Sequence, residues 1–262
     1  NPVFAEILDA LQAEVRQHSF SMMLVSGGAD AALEKTEIGT LQEFQIEGLI
    51  LISHQLPAEF LGQVASEVPT VTVTRSDISV AGMDTVSNDD VAGAGLAVDH
   101  LVSLGHTRIT HLDGGDNPVS HLRAQGYREA MARHGLKSHT TQVSGGLSDQ
   151  AGYVAAKKAL GSSPTALFVA NDFSAMGAIA AVEEAGLDVP GDISIIGYDG
   201  ISLGGLRSVN LTSVAQPLAE LGRLAATRLL ERIETPGGKA HHDHVASEVI
   251  VRGTTGPAPA HP

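Results

Sequence analysis

The 262-residue sequence contains no cysteine and no tryptophan. Without cysteine there are no disulfides, no thiolate metal sites and no cysteine nucleophile. Aromatic residues make up only 3% of the chain, so stacking a ligand on ring faces has few side chains to draw on. Basic residues are scarce as well: 16 Lys and Arg stand against 30 Asp and Glu, a formal net charge of −14. Such a body repels a phosphate backbone, because affinity for nucleic acid comes largely from Lys and Arg displacing counterions. No apolar run approaches the roughly 20 residues that span a bilayer, and the first residues carry no signal-peptide pattern. Gly-x-Ser-x-Gly elbows and Walker phosphate loops are missing too. No set of residues assembles an active site, so the expected role is non-enzymatic, without a cofactor.

What the chain does have is the composition of a well-packed soluble globule, with 43% hydrophobic and 18% charged residues, at a length that suits two lobes. Helical and strand patterns alternate almost without a break, the signature of a parallel sheet covered on both faces by helices. Helices are predicted over 1–18, with Asn1 as cap and Pro2 at the first position, then over 31–44, 58–67, 89–104, 120–134, 148–160 and 217–234. Strands are predicted over 22–25, 48–52, 71–74, 85–87, 109–112, near Gln142, after Ala166, and over 193–198 and 247–251. Gly105, Gly135 and Gly186 each follow a helix as the left-handed residue that stops it. His241, His242, Asp243 and His244 read as a solvated loop rather than a metal cluster. Gly93-Ala94-Gly95 falls inside a helix, which removes a dinucleotide-loop reading. The tail from Gly256 to Pro262 is expected to fray. A doubly wound lobe normally opens on a strand feeding its first helix, so a chain that opens on a helix cap reads as a fragment.

The stretch from Ala166 to Gly200 is the most informative. It places Asp172 and Asp199 each just after a short buried strand of one β-α-β unit. In open parallel sheets ligands bind in the crevice at such strand ends, and two carboxylates there suit a ligand rich in hydroxyl or amino groups.

Asn1-Pro-Val-Phe-Ala-Glu-Ile, Gly48-Leu-Ile-Leu, Leu104-Gly-His-Thr-Arg-Ile, Arg123-Ala-Gln-Gly-Tyr, Asn171-Asp172, Asp192-Ile-Ser-Ile-Ile-Gly-Tyr-Asp-Gly and Leu211-Thr-Ser-Val-Ala-Gln-Pro occur in this order. Each is weak alone, but together they cover nearly the whole chain. The set resembles the effector-binding core of lactose-repressor-type (LacI/GalR) transcriptional regulators. The resemblance implies an α/β, type I periplasmic-binding-protein-like fold, two Rossmann-like lobes with parallel sheets joined by three crossovers. It places residues 1–107 with 215–243 in an N-terminal lobe and 108–214 with 244–255 in a C-terminal lobe. It also implies a small carbohydrate effector in the cleft between the lobes and lobe closure on binding. A cytoplasmic homodimer follows, with operator DNA contacted through an N-terminal helix-turn-helix that this sequence does not contain. A free periplasmic sugar-binding protein shares the fold and is the alternative, and a sugar-processing α/β enzyme is a third class.

The resemblance also maps effector contacts onto particular residues. Asp199 is either a contact to vicinal hydroxyls or a turn residue before Gly200. Asn171 and Asp172 cap a helix and face the cleft, with one of the two expected to touch ligand. Arg123 matches an effector-contacting arginine whose forked donors complement carboxylates. Phe4 and Phe173 each have a core reading and a cleft-wall reading. Gln216 matches a position at the cleft floor, or bonds the crossover backbone. Asp89 is a helix cap with a lesser claim as a contact. Leu147 departs from the family, several members of which carry an aromatic platform there. Phe60, Leu61 and Val64 on the helix at 58–67 are either a dimer face or ordinary core.

Overall fold

The computed structural model describes residues 2–28 and 30–260. Asn1, expected to cap the first helix, lies outside the described residues. The first helix α1 (Pro2–Gln17) buries Val3, Ile7, Leu11 and Val15, a stripe at four-residue spacing. Asp30 caps α2 (Ala31–Glu43) by accepting from the amide of Ala32 at 2.8 Å. There follow β1 (Leu49–Ile52), α3 (Ala58–Glu67), β2 (Thr70–Val73), β3 (Met83–Asn88), α4 (Asp90–Ser103), β4 (Ile109–Leu112) and α5 (Pro118–Arg133). Next come β5 (Thr141–Val143), α6 (Asp149–Leu160), β6 (Ala166–Val169), α7 (Asp172–Glu184), β7 (Ser194–Asp199) and β8 (Thr212–Ala215). The chain closes with α8 (Leu218–Glu234), β9 (His242–Val245) and β10 (Glu248–Ile250). Gly105, Gly135 and Gly186 all have positive φ just past α4, α5 and α7, as their stop roles require.

The chain divides into two compact units, residues 1–88 with 217–245 and residues 89–216 with 246–262, so it passes between them three times. The first unit holds the parallel sheet β1-β2-β3-β9. Leu61 and Val64 of α3 are buried in this unit's core with Leu49, Leu51 and Met83, and Phe60 packs against them. That apolar helix face is therefore internal packing.

The second unit holds the sheet β10-β8-β7-β6-β4-β5, parallel except for β10. Alternate residues of its strands feed two cores, as a two-residue side-chain period dictates. Leu167, Val169 and Ile195 pack with Ala156, Ala178 and Val182 of α6 and α7. Phe168, Ile196 and Tyr198 pack with Leu101, Tyr127 and Met131 of α4 and α5. Read from β5, the order runs β5-β4-β6-β7-β8, so the winding direction reverses between β4 and β6. In open α/β sheets that reversal opens a crevice at the carboxyl ends of the strands.

Four expectations are corrected. Residues 22–25 form no strand ladder among the described residues: Met23 and Leu24 are exposed, while Met22 and Val25 pack on different clusters. A short apolar run without a partner strand stays irregular. His242 to Val245 is a strand, not a loop, because Asp84 on β3 holds the segment: its Oδ1 accepts from the His241 amide at 2.7 Å and it pairs with Arg232. The ring Nδ1 atoms of His242 and His244 lie 2.8 Å from Thr85 Oγ1 and 3.2 Å from Ser87 Oγ. Residues 89–107, expected in the first lobe, belong to the second unit, since α4 packs on α5 through the core that contains Leu101 and Tyr127. The tail is held as far as Ala258: Gly256 donates its amide to Ser194 Oγ at 3.0 Å, and the Ala258 amide donates to Leu104 O at 2.9 Å. His261 and Pro262 lie outside the described residues.

Candidate functional site

Four buried charged side chains and one amide gather at the carboxyl ends of β6, β7 and β8. Arg123 projects from α5, two turns past the Asn117 cap and Pro118 that start that helix. Its Nε donates to Asp90 Oδ1 at 2.8 Å, and its Nη1 donates to Ala170 O at 2.6 Å and to Asp199 Oδ1 at 3.3 Å. The guanidinium carbon lies 3.7 Å from the centre of the Tyr198 ring, a cation-π contact. Ala170 follows β6, so the guanidinium sits beside the point where the sheet reverses direction.

Asp199 is the last residue of β7 and is 5% exposed. Its Oδ1 also accepts from Gln216 Nε2 at 2.6 Å, while its carbonyl accepts from the Gln216 amide at 3.0 Å. Its φ is 109°, a region that residues with a side chain seldom occupy. Backbone outliers of this kind cluster at binding and switch sites, so the value points to function.

Asp172, the first residue of α7, is 0% exposed. Its Oδ1 accepts from Ser213 Oγ at 2.6 Å and its Oδ2 from the Ile201 amide at 2.8 Å. Gly197 makes room for it, because a Cβ there would lie 2.3 Å from Asp172 Oδ1. In this arrangement Asp172 fixes the turn at 199–201 onto β8. Asn171 is equally engaged: its Oδ1 caps α7 at the Ser174 amide, 2.9 Å away, and its Nδ2 donates to Leu147 O at 3.1 Å.

The Arg123 guanidinium pairs with two carboxylates, Asp90 and Asp199, and a third, Asp172, is bonded to Ser213 and the Ile201 amide beside them. Burial pushes the Asp199 carboxyl above the usual carboxylate range despite the pull of Arg123 and Gln216, and Asp90 adds to the rise. Burial and then the Asp199 charge raise Asp172 in the same direction. For Arg123 burial works against the charge, but Asp90 and Asp199 outweigh it and hold the guanidinium well above its ordinary value. The cluster is thus rich in acceptors and short of donors.

The sequence points to nine residues, and the structure brings Arg123, Asp199 and Gln216 together, while Asp172 holds the turn after Asp199 and Asn171 caps α7. Asp89 does not join them. It is exposed and caps α4 at the Ala92 amide, 2.9 Å away, while its neighbour Asp90 reaches Arg123. The Asp89-Asp90 pair was visible in the sequence, but the choice between them depends on which one starts the helix. Tyr198 and Ser213 were missed as well, although both lie in quoted motifs. Leu147 is 43% exposed. Phe173 is half-buried at the start of α7, and Phe4 lies in the first unit, 37% exposed. A separate open groove of about 340 Å³ runs on the β5 side of α5 between Asp113, Ser120, His121 and Arg128, and touches neither Arg123 nor Asp199.

Comparison with known proteins agrees with this architecture. Residues 98–255 match the periplasmic binding protein-like domain family. The ribose operon repressor of Escherichia coli (strain K12) is 32% identical over 243 residues, 90% of this chain and 73% of the repressor. A LacI transcriptional regulator from a Rhodococcus species superposes with a TM-score of 0.92 at 34% identity, covering 99% of this chain and 96% of that one. A LacI family regulator from Enterococcus faecium with bound ribose gives 0.88 at 28% identity, with 98% and 95% covered. The dimeric Lac repressor with an 11-residue C-terminal deletion gives 0.87 at 28% identity, with 97% and 94% covered.

Proposed function

The chain belongs to the lactose-repressor-type (LacI/GalR) family of transcriptional regulators, and from that membership we propose that it is the sugar-sensing core of such a regulator. Its effector is a neutral, hydroxyl-rich small molecule of the sugar class, held by Arg123, Asp199 and Gln216. The observation that carries the reading is the buried Arg123–Asp199–Gln216 cluster at the sheet reversal, with Asp199 in a strained backbone geometry. Vicinal hydroxyls both donate and accept, so one sugar edge can satisfy a carboxylate and a guanidinium together.

Charge narrows the class further. The one guanidinium is already paired with Asp90 and Asp199, with Asp172 beside them, so like-charge repulsion in a low-dielectric site disfavours a sugar phosphate or uronate. The relative crystallised with ribose is in keeping with a neutral monosaccharide. Leu147 offers no ring face, which favours small sugars over ligands that need stacking. The chain acts as a cytoplasmic homodimer without turnover of its ligand. Support for this comes from the repressor relative and the dimeric Lac repressor neighbour. Among the described residues no helix is long and apolar enough to cross a membrane.

A thermal-shift series over neutral pentoses, hexoses and disaccharides, with ribose 5-phosphate as the charged counterpart, tests the reading. A ligand that binds only the folded state at 100 times its Kd stabilises by about 2.7 kcal/mol. A neutral sugar should therefore raise the melting temperature by several degrees and ribose 5-phosphate should not. If no neutral sugar shifts the transition, or if the phosphate ester binds better, the proposal fails.

A further inference from the structure

Asp199 and Gly200, at the end of β7, both have positive φ, 109° and 73°. Glycine tolerates that region, but an aspartate persists there only when its surroundings over-determine the backbone. Three contacts do so. The Asp199 carbonyl accepts from the Gln216 amide at 3.0 Å. The Gly200 amide donates to Ser213 Oγ at 3.1 Å, and the Ile201 amide donates to Asp172 Oδ2 at 2.8 Å. Ser213 Oγ in turn donates to Asp172 Oδ1 at 2.6 Å, so two of the three contacts end on one carboxylate.

Two glycines make room for this arrangement. A Cβ on Gly197 would lie 2.3 Å from Asp172 Oδ1, and one on Gly200 would lie 2.5 Å from Ala215 Cβ. Within Gly197-Tyr198-Asp199-Gly200 the first glycine thus admits the carboxylate of α7, and the second admits the turn. Asp172 is also placed where its charge is disfavoured. Burial and then the Asp199 charge push its carboxyl above the usual carboxylate range. Asn171 already caps α7, so the cap does not depend on it. A buried charge held against its own stability points to a role in function. With both oxygens engaged and no exposed surface, Asp172 acts on a ligand only through Asp199.

We infer that Asp172 is a positioning residue: through Ser213 and the amides of Gly200 and Ile201 it imposes the positive φ of Asp199 and so presents the Asp199 carboxylate to the sugar. The backbone effect is a property of the ligand-free protein, whereas its value for binding rests on the reading above that Asp199 holds the effector. A carboxylate fixed in advance spares the complex the entropy of ordering it. Asparagine can take over the brace, since its oxygen accepts from the Ile201 amide and its amide group donates to Ser213 Oγ. The Ser213 hydroxyl then turns to Val214 O, 3.5 Å away. Alanine offers neither bond.

Crystal structures of ligand-free wild type, Asp172→Ala, Asp172→Asn and Ser213→Ala read the backbone. Calorimetric titration with D-ribose, the sugar bound in the Enterococcus faecium relative, reads binding by the folded protein at a temperature well below melting. In Asp172→Ala, Asp199 should relax to negative φ and ribose should bind at least about tenfold more weakly. Ser213→Ala keeps the Ile201 bond and should weaken ribose by about threefold. Asp172→Asn should keep the positive φ and recover most of the wild-type affinity. Support for folding alone would lower the melting temperature and leave both readouts in place. A positive φ in Asp172→Ala, unchanged affinity in Asp172→Ala and Ser213→Ala, or an asparagine variant as impaired as the alanine one would each overturn the inference. If Asp172→Ala does not fold, Ser213→Ala decides, and wild-type affinity there counts against the brace. Wild type that binds no neutral sugar would sink the effector reading alone, since the φ of Asp199 decides the brace without ligand.

Discussion

Asp199 is held in the folded state at a twofold cost. Its positive φ costs on the order of 1 to 3 kcal/mol, and its carboxyl is raised above the ordinary value of 3.8, burial being the largest cause. A carboxyl with a raised folded pKa contributes stability that is complete below 3.8 and is lost as pH rises through the folded value. At pH 8 Asp199→Asn should therefore raise the melting temperature of the ligand-free protein, since the amide keeps the Oδ1 acceptor for Arg123 and Gln216. The gain should vanish towards pH 4, and sugar affinity should fall at least about tenfold. Calorimetric melts at pH 4, 6 and 8 check it, and a variant less stable than wild type at pH 8 would show that the Arg123 pair outweighs burial. His111 has the opposite sign. It is sealed between Phe168 and Tyr127, its Nδ1 donates to Phe168 O at 3.0 Å, and burial pushes its pKa down to about 4. His54 in the first unit is likewise lowered to about 4, by burial and then by Arg75. Groups lowered in this way stabilise the fold fully above 6.5 and lose that contribution as pH falls through 4. Each is worth up to about 3 kcal/mol over that window. Urea midpoints should therefore drop steeply between pH 6.5 and 4, and His111→Phe should flatten part of the slope.

Helix pairs meet at glycines. A Cβ on Gly152 of α6 would lie 2.0 Å from Ser174 O, and one on Gly177 of α7 would lie 2.0 Å from Asp149 O. Gly126 of α5 stands in the same relation to Val91 O, and Gly222 of α8 to Ile7 O. Glycine inside a helix lowers its propensity by roughly 1 kcal/mol relative to alanine, so these positions are retained for close backbone approach. Gly177→Ala should cost about 1 to 3 kcal/mol by overpacking, instead of the gain that propensity alone would give. A urea melt of that variant that is unchanged or more stable would mean that α6 and α7 can separate freely. The sequence shows the helices well because caps, stop glycines and apolar spacing agree within each one. It shows strands less well, because a strand exists through its neighbours. Residues 22–25 have the apolar composition but no ladder partner among the described residues. Residues 242–245 look polar yet pair with β3, since Asp84, distant in sequence, holds them. The same limit applies at the site: Asp199, Arg123 and Gln216 were legible from motifs, whereas the choice of Asp90 over Asp89 depends on a contact made across 33 positions.

The whole molecule carries a charge of −14, which opposes contact with a phosphate backbone. Relatives of this chain are repressors, but a repressor gains its grip on duplex DNA from Lys and Arg that displace condensed counterions. Several of the basic residues here are already committed. Arg75, Arg123, Arg228 and Arg232 are each paired with an aspartate of their own unit. Arg133 and Lys157 are paired too, with Asp99 and Glu184. With 30 acidic residues against 16 basic ones, the field of the remainder opposes a phosphate backbone. The 262 residues by themselves should therefore show no retardation of operator-length duplex DNA at 50 mM salt, with or without sugar. Because binding through phosphate contacts weakens steeply with salt, low salt is the most permissive condition and makes a negative result meaningful. In the ribose operon repressor the aligned region covers 73% of the protein, and fusing the part of that repressor outside the aligned region to this chain should produce DNA binding that a neutral sugar modulates. Retardation by the 262 residues alone, with a clear salt slope, would place DNA contacts within the sensing core.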